Sequence, residues 1–273
     1  MKNLDDLKEL YLLSFTEDTK EDADFLFENV FSKAKLVSLE ENGKTVSMLF
    51  LMDCSLITKI KEIPYYYLYA ACTHPHHRGK GLMGKLLAKA KAIAKENGRA
   101  GIILKPAKPS LFEFYNNYGF KDFCKYSKLN LCIEDINFKV PTLYNISALE
   151  WWEKRKAILK AYSDCFVSFP KELFAAAIAD CKIVTDKKGV FVAYEIRENT
   201  LLCKECLYEK GCEEGVLAVV KGLMEKNKLT FAEVRMPIDL NSRLNSLCQN
   251  GYFSVISETD IEAKNPYHGF AFD

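Results

Sequence analysis

The sequence predicts a mixed α/β fold with α+β character, built from two copies of one unit. Three observations lead to this prediction. Helix-type and strand-type hydrophobic patterns alternate along the whole chain. A strand at residues 65–73 runs through a glycine-rich loop into a Lys-rich helix. The segment from Pro237 to Gly251 also resembles the segment from Pro106 to Gly119, at an offset of about 131 residues.

The first half reads in order as helix, helix, hairpin, strand, helix, strand, helix and strand. Apolar residues three and four positions apart indicate the helices. The pair Asn42-Gly43 between two apolar runs predicts a tight hairpin turn. The elements are helices at residues 3–15, 22–32, 83–97 and 109–118, and strands at 35–40, 45–52, 65–73, 101–105 and 123–133.

The second half keeps the same composition and a similar order of elements. The patterns predict a helix, a hairpin around Asp186–Gly189, a strand, a second helix and a half-buried strand before the repeated segment. These elements lie at residues 148–166, 182–185, 190–196, 201–207, 216–225 and 232–236. We therefore expect two domains, at residues 1–136 and 137–273.

Composition and charge exclude several classes of protein. No run of about 18 apolar residues predicts a transmembrane helix, and the charged N-terminus does not resemble a signal peptide. With ten scattered cysteines, the chain is expected to be cytoplasmic with reduced thiols. Residues 74–128 hold twelve Lys or Arg against three acids, and residues 1–44 hold eleven acids against six Lys. A basic surface beside an acidic one favours a phosphorylated cofactor and a cationic substrate over nucleic acid.

The loop at residues 79–84 fits the pattern G-x-G-x-x-G and opens a helix, so it predicts an anion site. A dinucleotide fold would need an acid about 20 residues later, but the next strand ends at Leu104-Lys105-Pro106. A P-loop would need Lys-Ser or Lys-Thr after the glycines, and neither occurs. A lone C-x-x-C, Cys203 and Cys206, lies on a predicted strand whose alternation would separate the two side chains, so no metal is expected.

The stretch CTHPHHRGKGLMGKLL, followed by FYNNYGF, resembles the GNAT acetyltransferase family over residues 35–133. The resemblance implies that acetyl-CoA is the cosubstrate and that its pyrophosphate lies on this loop. It also implies that backbone groups of the preceding strand hold the acetyl and pantetheine parts, and that a tyrosine protonates the departing thiolate. The implied residues are Cys72, Thr73, Arg78, Gly79, Lys80, Gly81, Leu82, Met83 and Gly84 for the cofactor, and Tyr115 as the general acid. Met83 departs from the family, which usually has Gly or Ala there.

The second copy lacks this machinery. Glu213 and Glu214 lie where a helix N-terminus should attract phosphate, and Leu247 stands in the place of Tyr115. Residues 1–136 are therefore expected to be catalytic and residues 137–273 degenerate. The tandem arrangement resembles the Eis-type acetyltransferases without their third domain. In those enzymes the C-terminal carboxylate acts as the base, a role that Asp273 would take here.

The resulting hypothesis is an acetyl-CoA-dependent N-acetyltransferase that transfers acetyl directly to a primary amine of a small cationic acceptor. It expects no metal, no nucleic acid and no membrane, and leaves a homo-oligomer open. The alternatives are a non-catalytic acyl-CoA-binding or regulatory protein and an N-acetyltransferase of proteins or peptides. The general base is not identified, and its further candidates are Glu62, Asp22, Asp24 and Glu28.

Overall fold

In a computed structural model of the chain, the structure describes residues 4–238, 244, 247–258 and 261–271. The chain divides into two compact units that interleave along the sequence. Unit 1 comprises Met1–Leu56, Glu62–Asp122 and Val255–Asp260, and unit 2 comprises Ile57–Lys61, Phe123–Ser254 and Ile261–Asp273. No helix in the described part of the chain is long and apolar enough to cross a membrane.

Unit 1 contains the elements that the first half of the sequence predicts, with shifted ends. Its helices are α1 (Leu4–Leu12), α2 (Lys20–Asn29), α3 (Leu82–Glu96) and α4 (Ser110–Asn116). Its strands are β1 (Lys35–Glu41), β2 (Lys44–Thr58), which ends in unit 2, β3 (Glu62–Thr73) and β4 (Ile102–Leu104). The next strand, β5 (Phe120–Cys132), begins in unit 1 and continues into unit 2.

Local chemistry explains where these elements begin and end. Asn42 and Gly43 both have positive φ, at 53° and 77°, which is the backbone that a two-residue hairpin turn requires. Thr19 and Asp22 form a capping box that starts α2. Along α3 the predicted apolar stripe is buried at Leu86 and Leu87, which pack against the sheet.

Unit 2 follows the predicted order but contains four short elements that the pattern did not reveal. Its helices are α5 (Ala148–Tyr162), α6 (Lys171–Ala177) and α7 (Glu213–Asn227). Its strands are β6 (Tyr144–Asn145), β7 (Cys165–Ser168), β8 (Lys182–Thr185), β9 (Val190–Arg197), β10 (Thr200–Tyr208), β11 (Phe231–Met236), β12 (Gln249–Ser257), which ends in unit 1, and β13 (Pro266–Tyr267).

The helix predicted at 148–166 ends earlier than expected because the C-terminal segment pairs with the chain that follows it. The Asp164 carboxylate accepts hydrogen bonds from the N–H groups of Lys264 and Asn265 at 2.8 and 3.2 Å. The short strand β13 then pairs in parallel with β7 and with β5. Sequence periodicity does not reveal a pairing between residues about 100 positions apart, so the short strands β7 and β13 were not predicted. The short helix α6 was also missed.

The two units have exchanged equivalent strands. In unit 1, β4 pairs in parallel with β3 and antiparallel with the end of β12, where Val255 lies opposite Leu104. In unit 2, β11 pairs in parallel with β10 and antiparallel with β5. The strand that follows α4 therefore completes the sheet of unit 2, and the strand that follows the repeated segment completes the sheet of unit 1.

This exchange bears on the domain division. The strand order in unit 1 is β12, β4, β3, β2 and β1, and in unit 2 it is β7, β13, β5, β11, β10, β9, β8 and β6. The predicted mixed α/β class is confirmed. The assignment of a catalytic domain to 1–136 and a degenerate domain to 137–273 stays a prediction, and the compact units have different, interleaved bounds.

Unit 2 also encloses a buried ion pair. Arg155 on α5 and Glu205 on β10 are 3% and 0% exposed, and the Arg155 Nε lies 2.8 Å from Glu205 Oε2. The Arg155 Nη1 donates a further hydrogen bond to the Val167 carbonyl at 3.0 Å. A buried charge pair needs such additional hydrogen bonds to offset its desolvation. These contacts tie α5, β7 and β10 together.

Candidate active site

The end of β3 extends beyond its partner in the sheet. The pairs Tyr66 with Ile102 and Tyr67 with Ile103 join β3 to β4, and β4 ends one residue later. Ala70 has a φ of 51°, a left-handed conformation that is unusual for a residue with a side chain and that marks a local break in the strand. The backbone from Leu68 to Thr73 therefore runs on past the paired residues of β4.

Hydrogen bonds fix this end of β3 on its other side. The Ser47 hydroxyl donates to the Cys72 carbonyl at 3.0 Å and lies 2.7 Å from the Thr73 hydroxyl. The His74 N–H donates to the Val46 carbonyl on β2 at 2.9 Å. Because successive N–H groups of an extended chain point in opposite directions, the Thr73 N–H points away from β2, to the side on which β4 has ended.

The Cys72 thiol is poorly suited to act as a nucleophile. Cys72 is only 4% exposed, and burial raises the pKa of its thiol to about 12, although Ser14 and Arg78 oppose the shift. A thiol that stays protonated at neutral pH is a weak nucleophile. The candidate contribution of Cys72 is therefore that of its backbone.

The glycine loop adopts the backbone that an anion site requires. Gly79 and Gly81 have φ of 75° and 72°, and a Cβ at either position would meet no heavy atom within 4 Å. Glycine is therefore favoured at these two positions because the backbone is left-handed. An added Cβ there would not clash with any other part of the protein. The Arg78 Nε donates to the Thr73 carbonyl at 3.1 Å, which closes the loop onto the end of β3.

The loop ends at an uncapped helix N-terminus. Gly81 is the N-cap of α3 and has no side chain to accept a hydrogen bond, and the first turn contains no acid. The Lys85 N–H donates to the Gly81 carbonyl, so the N–H groups of Leu82, Met83 and Gly84 precede the hydrogen-bond ladder of the helix. These donors and the positive end of the helix dipole suit a phosphate group.

The Met83 side chain is half-buried and packs against the core on the α3 face of the sheet. Its backbone N–H remains part of the helix N-terminus. The departure from the usual Gly or Ala therefore places a core side chain at this position without removing the N–H group. Lys80 is exposed beside it.

Close packing between α3 and α4 sets the position of Tyr115. A Cβ on Gly84 would lie 2.5 Å from the ring of Tyr118, so Gly84 is the site where that ring approaches α3. The Lys91 Nζ donates to the Tyr118 carbonyl at 2.9 Å and lies 5.0 Å from the centre of the Phe120 ring. Tyr118 itself is 37% exposed, although its ring packs on Gly84.

Tyr115 is 7% exposed and packs edge-on against Phe114 and Phe120, at ring distances of 5.3 and 5.7 Å. It belongs to the same core cluster as Leu68 on β3, and Ala71 and Met83 pack against this cluster. Its hydroxyl forms no hydrogen bond with any residue that the structure describes. Burial raises the pKa of this phenol to about 12, so it carries its proton at neutral pH.

Two of the four described candidates for the general base are engaged in other contacts. Asp22 accepts hydrogen bonds from Thr19 in the capping box of α2, and the Asp24 carboxylate lies 2.5 Å from Lys8 Nζ. Glu28 and Glu62 are exposed. Asp273 lies outside the described residues.

Comparison with known proteins identifies the unit that carries this loop. A family model described as an acetyltransferase (GNAT) domain matches residues 2–122. This part of the chain is a GNAT acetyltransferase domain. The predicted resemblance to the GNAT family is thereby confirmed for residues 2–122, and this domain match supports the predicted acyltransferase activity.

Solved structures share the fold over nearly the whole chain. A probable N-acyltransferase from Enterococcus faecalis V583 is 15% identical with a TM-score of 0.75, over 93% of this chain and 69% of its own. A GCN5-related N-acetyltransferase from Kribbella flavida is 14% identical with a TM-score of 0.69, over 93% and 68%. Eis1 from Mycobacterium abscessus is 13% identical with a TM-score of 0.64, over 93% and 70%. No curated protein matches the sequence.

These similarities extend over both units, so they support the predicted tandem GNAT fold, including its resemblance to Eis-type enzymes. At such low identity they concern the fold alone.

The counterpart of the GNAT loop in unit 2 satisfies its own hydrogen-bond donors. Cys212 replaces a glycine as the N-cap of α7, and its thiol donates to the Lys188 carbonyl at 3.1 Å. The Gly211 N–H donates to the Glu213 carboxylate at 3.3 Å, and the Glu209 N–H donates to the Gly189 carbonyl at 2.7 Å. A carboxylate of the chain thus takes an N–H that a phosphate would need.

The residue that aligns with Tyr115 is also consistent with an inactive second copy. Leu247, which aligns with Tyr115, is 60% exposed. The residues that would form the helix before it lie mostly outside the described part of the chain. The lack of activity in this copy remains a prediction.

The alternation predicted for the C-x-x-C pair was wrong. A register shift between Cys203 and Glu205 breaks the regular alternation of β10, and both Cys203 and Cys206 belong to one buried core cluster. Burial raises the pKa of both thiols. Within the described residues, no group of three or more potential ligands could hold a metal ion.

A cavity of about 340 Å³ lies in unit 2 and contains none of the predicted site residues. Its lining mixes charges of both signs, and Glu195 is already paired with Arg197 and with Lys204. The lining residues are Asp180, Lys182, Tyr194, Glu195, Ile196 and Arg197.

Proposed function

We propose that the chain transfers the acetyl group of acetyl-CoA directly to a primary amine of a small cationic acceptor. The observation that carries the proposal is the uncapped N-terminus of α3, which follows the loop of Gly79 and Gly81 next to the end of β3. A GNAT domain matches these residues. Unit 1 therefore offers an anion site at a fixed position relative to the extended end of β3.

The residues present fit acetyl-CoA. The N–H groups of Leu82, Met83 and Gly84 would bind its pyrophosphate, since they lack intrahelical partners and lie at the positive end of a helix. Arg78 and Lys80 add positive charge. The Cys72 and Thr73 carbonyls already accept hydrogen bonds, whereas the Thr73 N–H points away from β2 and would donate to the thioester carbonyl.

The cosubstrate supplies an activated acetyl group. The chain would contribute alignment, one N–H donor at the carbonyl oxygen, and the proton of Tyr115. The amine would attack in its neutral form. As the new C–N bond forms and the C–S bond breaks, the sulfur would leave as a thiolate, and the proton lost by the nitrogen would pass to solvent, from which Tyr115 is reprotonated. Tyr115, whose raised pKa keeps its phenol protonated, would give its proton to that sulfur.

Charge supports a cationic acceptor. Residues 1–44, which form α1, α2 and the first hairpin, contain eleven acids and six Lys. The structure places Lys8 in an ion pair with Asp24, which cancels one charge of each sign and leaves the surplus of acids unchanged. An electronegative surface attracts amines that are protonated at neutral pH.

Two measurements test the proposal. Calorimetry should show binding of acetyl-CoA to the purified protein, and a thiol-release assay should show turnover with small amines. Absence of acetyl-CoA binding would contradict the proposal outright. Binding without thiol release from small amines, but with release from peptides, would assign the chain to protein or peptide acetylation.

A further inference from the structure

The connection between α1 and α2 packs on the face of β3 that is opposite to α3. Tyr66 and Leu68 lie in the core cluster with α3, so the alternating Tyr67 and Tyr69 lie on the other face. Tyr69 contacts Phe31, at a ring distance of 5.9 Å, and hydrogen-bonds to Tyr11 of α1. The side chains of α1 and β3 thus meet through hydroxyl groups in an otherwise aromatic layer.

These hydroxyl groups form a directed chain that ends at a carboxylate. The Tyr11 hydroxyl donates to Asp18 Oδ2. A phenol has a single proton, so the hydrogen bond between Tyr69 and Tyr11 must be donated by Tyr69. Tyr11 is 0% exposed, and burial, together with Tyr69 and Asp18, raises its pKa. The Asp18 carboxylate is therefore held in one orientation by a phenol that stays protonated.

The second oxygen of Asp18 is left available. Asp18 is half-buried, and within the described residues its Oδ1 forms no hydrogen bond and no Lys or Arg forms an ion pair with it. The half-buried Phe15 stacks on Tyr11 at a ring distance of 4.6 Å, so the carboxylate lies beside an aromatic surface. A carboxylate next to aromatic rings is a suitable environment for an alkylammonium group.

The same connection reaches the end of β3. Ser14, which lies four residues before Asp18 in the sequence, is close enough to the Cys72 thiol to oppose the rise in its pKa. Cys72 and Thr73 are the residues whose backbone would hold the thioester in the proposed reaction. The connection that presents Asp18 therefore lies beside the strand at which acyl transfer would occur.

We propose that Asp18 binds an ammonium group of the acceptor through a charge-assisted hydrogen bond, with Tyr11 and Tyr69 fixing the carboxylate. The acceptor class is an aliphatic diamine or polyamine. One neutral primary amine would react, while a second, protonated amine flanked by methylene groups that pack on Phe15 would bind Asp18. This inference rests on the proposed function because it places the acceptor beside the acetyl site.

The test compares Asp18→Asn with Glu17→Gln, a neighbouring exposed acid whose removal changes the net charge equally. Thiol-release kinetics use acetyl-CoA with spermidine and 1,5-diaminopentane, which both keep a second ammonium group while one amine reacts. For Asp18→Asn we expect KM for the amines to rise about tenfold or more, the range of a lost hydrogen bond to a charged group. We expect kcat to change less than about threefold, since the contact is made in both the ground state and the transition state. Glu17→Gln should shift KM less than about twofold.

Tyr11→Phe provides a second variant that keeps the carboxylate and removes the hydrogen bond that orients it. We expect a smaller rise in KM than for Asp18→Asn, with acetyl-CoA affinity unchanged in all three variants. An equal rise in KM in Asp18→Asn and Glu17→Gln would overturn the proposal. It would mean that the amine responds to the negative charge of the surface and not to a direct contact with Asp18.

A binding measurement separates this inference from the proposed function. Calorimetry with CoA-saturated protein should detect spermidine binding to the wild type and a loss of about tenfold or more in affinity in Asp18→Asn. Spermidine binding that depends on Asp18, without turnover of any amine, would support the ammonium site and contradict acetyl transfer. Turnover with Asp18→Asn kinetics equal to wild type would support transfer and overturn the ammonium site. Absence of amine binding in the wild type would also overturn it.

Discussion

Replacing Tyr115 by Phe isolates the proton-donor role from the structural role. The ring contacts with Phe114 and Phe120 remain in the variant, and the hydroxyl that is lost has no hydrogen bond within the described residues. We therefore expect the free energy of unfolding to change by less than about 0.5 kcal/mol, in the range of substitutions that remove no specific contact. Affinity for acetyl-CoA should also be unchanged.

The expected loss of activity follows from the pKa of the phenol. General acids contribute about 10²- to 10⁴-fold to the rate. The Tyr115 pKa of about 12 lies above that of an ordinary thiol, about 8.5, so proton transfer to the thiolate is uphill. Because this transfer is uphill, we expect a loss of rate at the lower end of the range for general acids. The expected fall in kcat is about 100-fold, equivalent to about 2.7 kcal/mol.

The assay is steady-state thiol release at saturating amine, measured from pH 7 to pH 10. Because burial raises the Tyr115 pKa above its ordinary value, the phenol stays protonated over this range, and ionisation of Tyr115 should cause no fall in kcat. Tyr118→Phe is the matched control, since that ring packs on Gly84 and its hydroxyl has no proposed role. Wild-type kcat in Tyr115→Phe, or an equal loss in Tyr118→Phe, would refute the reasoning.

Further predictions concern the loop, the buried thiol and the exchanged strand. Gly81→Ala and Gly43→Ala should each lower the free energy of unfolding in urea by about 1 kcal/mol, because both residues have positive φ. Only Gly81→Ala should also weaken acetyl-CoA binding in calorimetry. Cys72→Ala should keep kcat within about threefold, since a buried thiol of raised pKa is no nucleophile, and a complete loss of turnover in a folded variant would contradict this. A fragment of residues 1–136 lacks Val255 and Ile256, which pair with β4. Circular dichroism of this fragment should therefore show no cooperative unfolding, and a stable folded fragment would contradict this.

Local signals were sufficient for most elements of unit 1 and for the loop. Asn42-Gly43 predicted a hairpin because only two residues are needed to close it, and both have the expected positive φ. The glycines of the loop and the helix that follows were predicted from the same short-range pattern. The roles assigned to Tyr115 and to residues 72–84 remain predictions that the experiments above address.

Asp18 was not among the sequence candidates for good physical reasons. It lies in a connection without periodicity, and nothing local distinguishes it from Asp22 or Asp24. Only the fold brings Tyr11 and Tyr69, 58 positions apart, into one hydrogen-bonded chain with it. The capping box and the ion pair with Lys8 then distinguish the other two acids from Asp18.

The sequence by itself determined the α/β class, the order of elements in unit 1, the repeat and the family, because each depends on spacing within short segments. The tertiary structure alone decided which strand completes each sheet. An apolar alternating segment such as β5 or β12 can pair with any strand edge of suitable register, and the choice depends on contacts between residues more than 100 positions apart. The exchange of these two strands, and the carboxylate held by Tyr11, are properties of the folded chain.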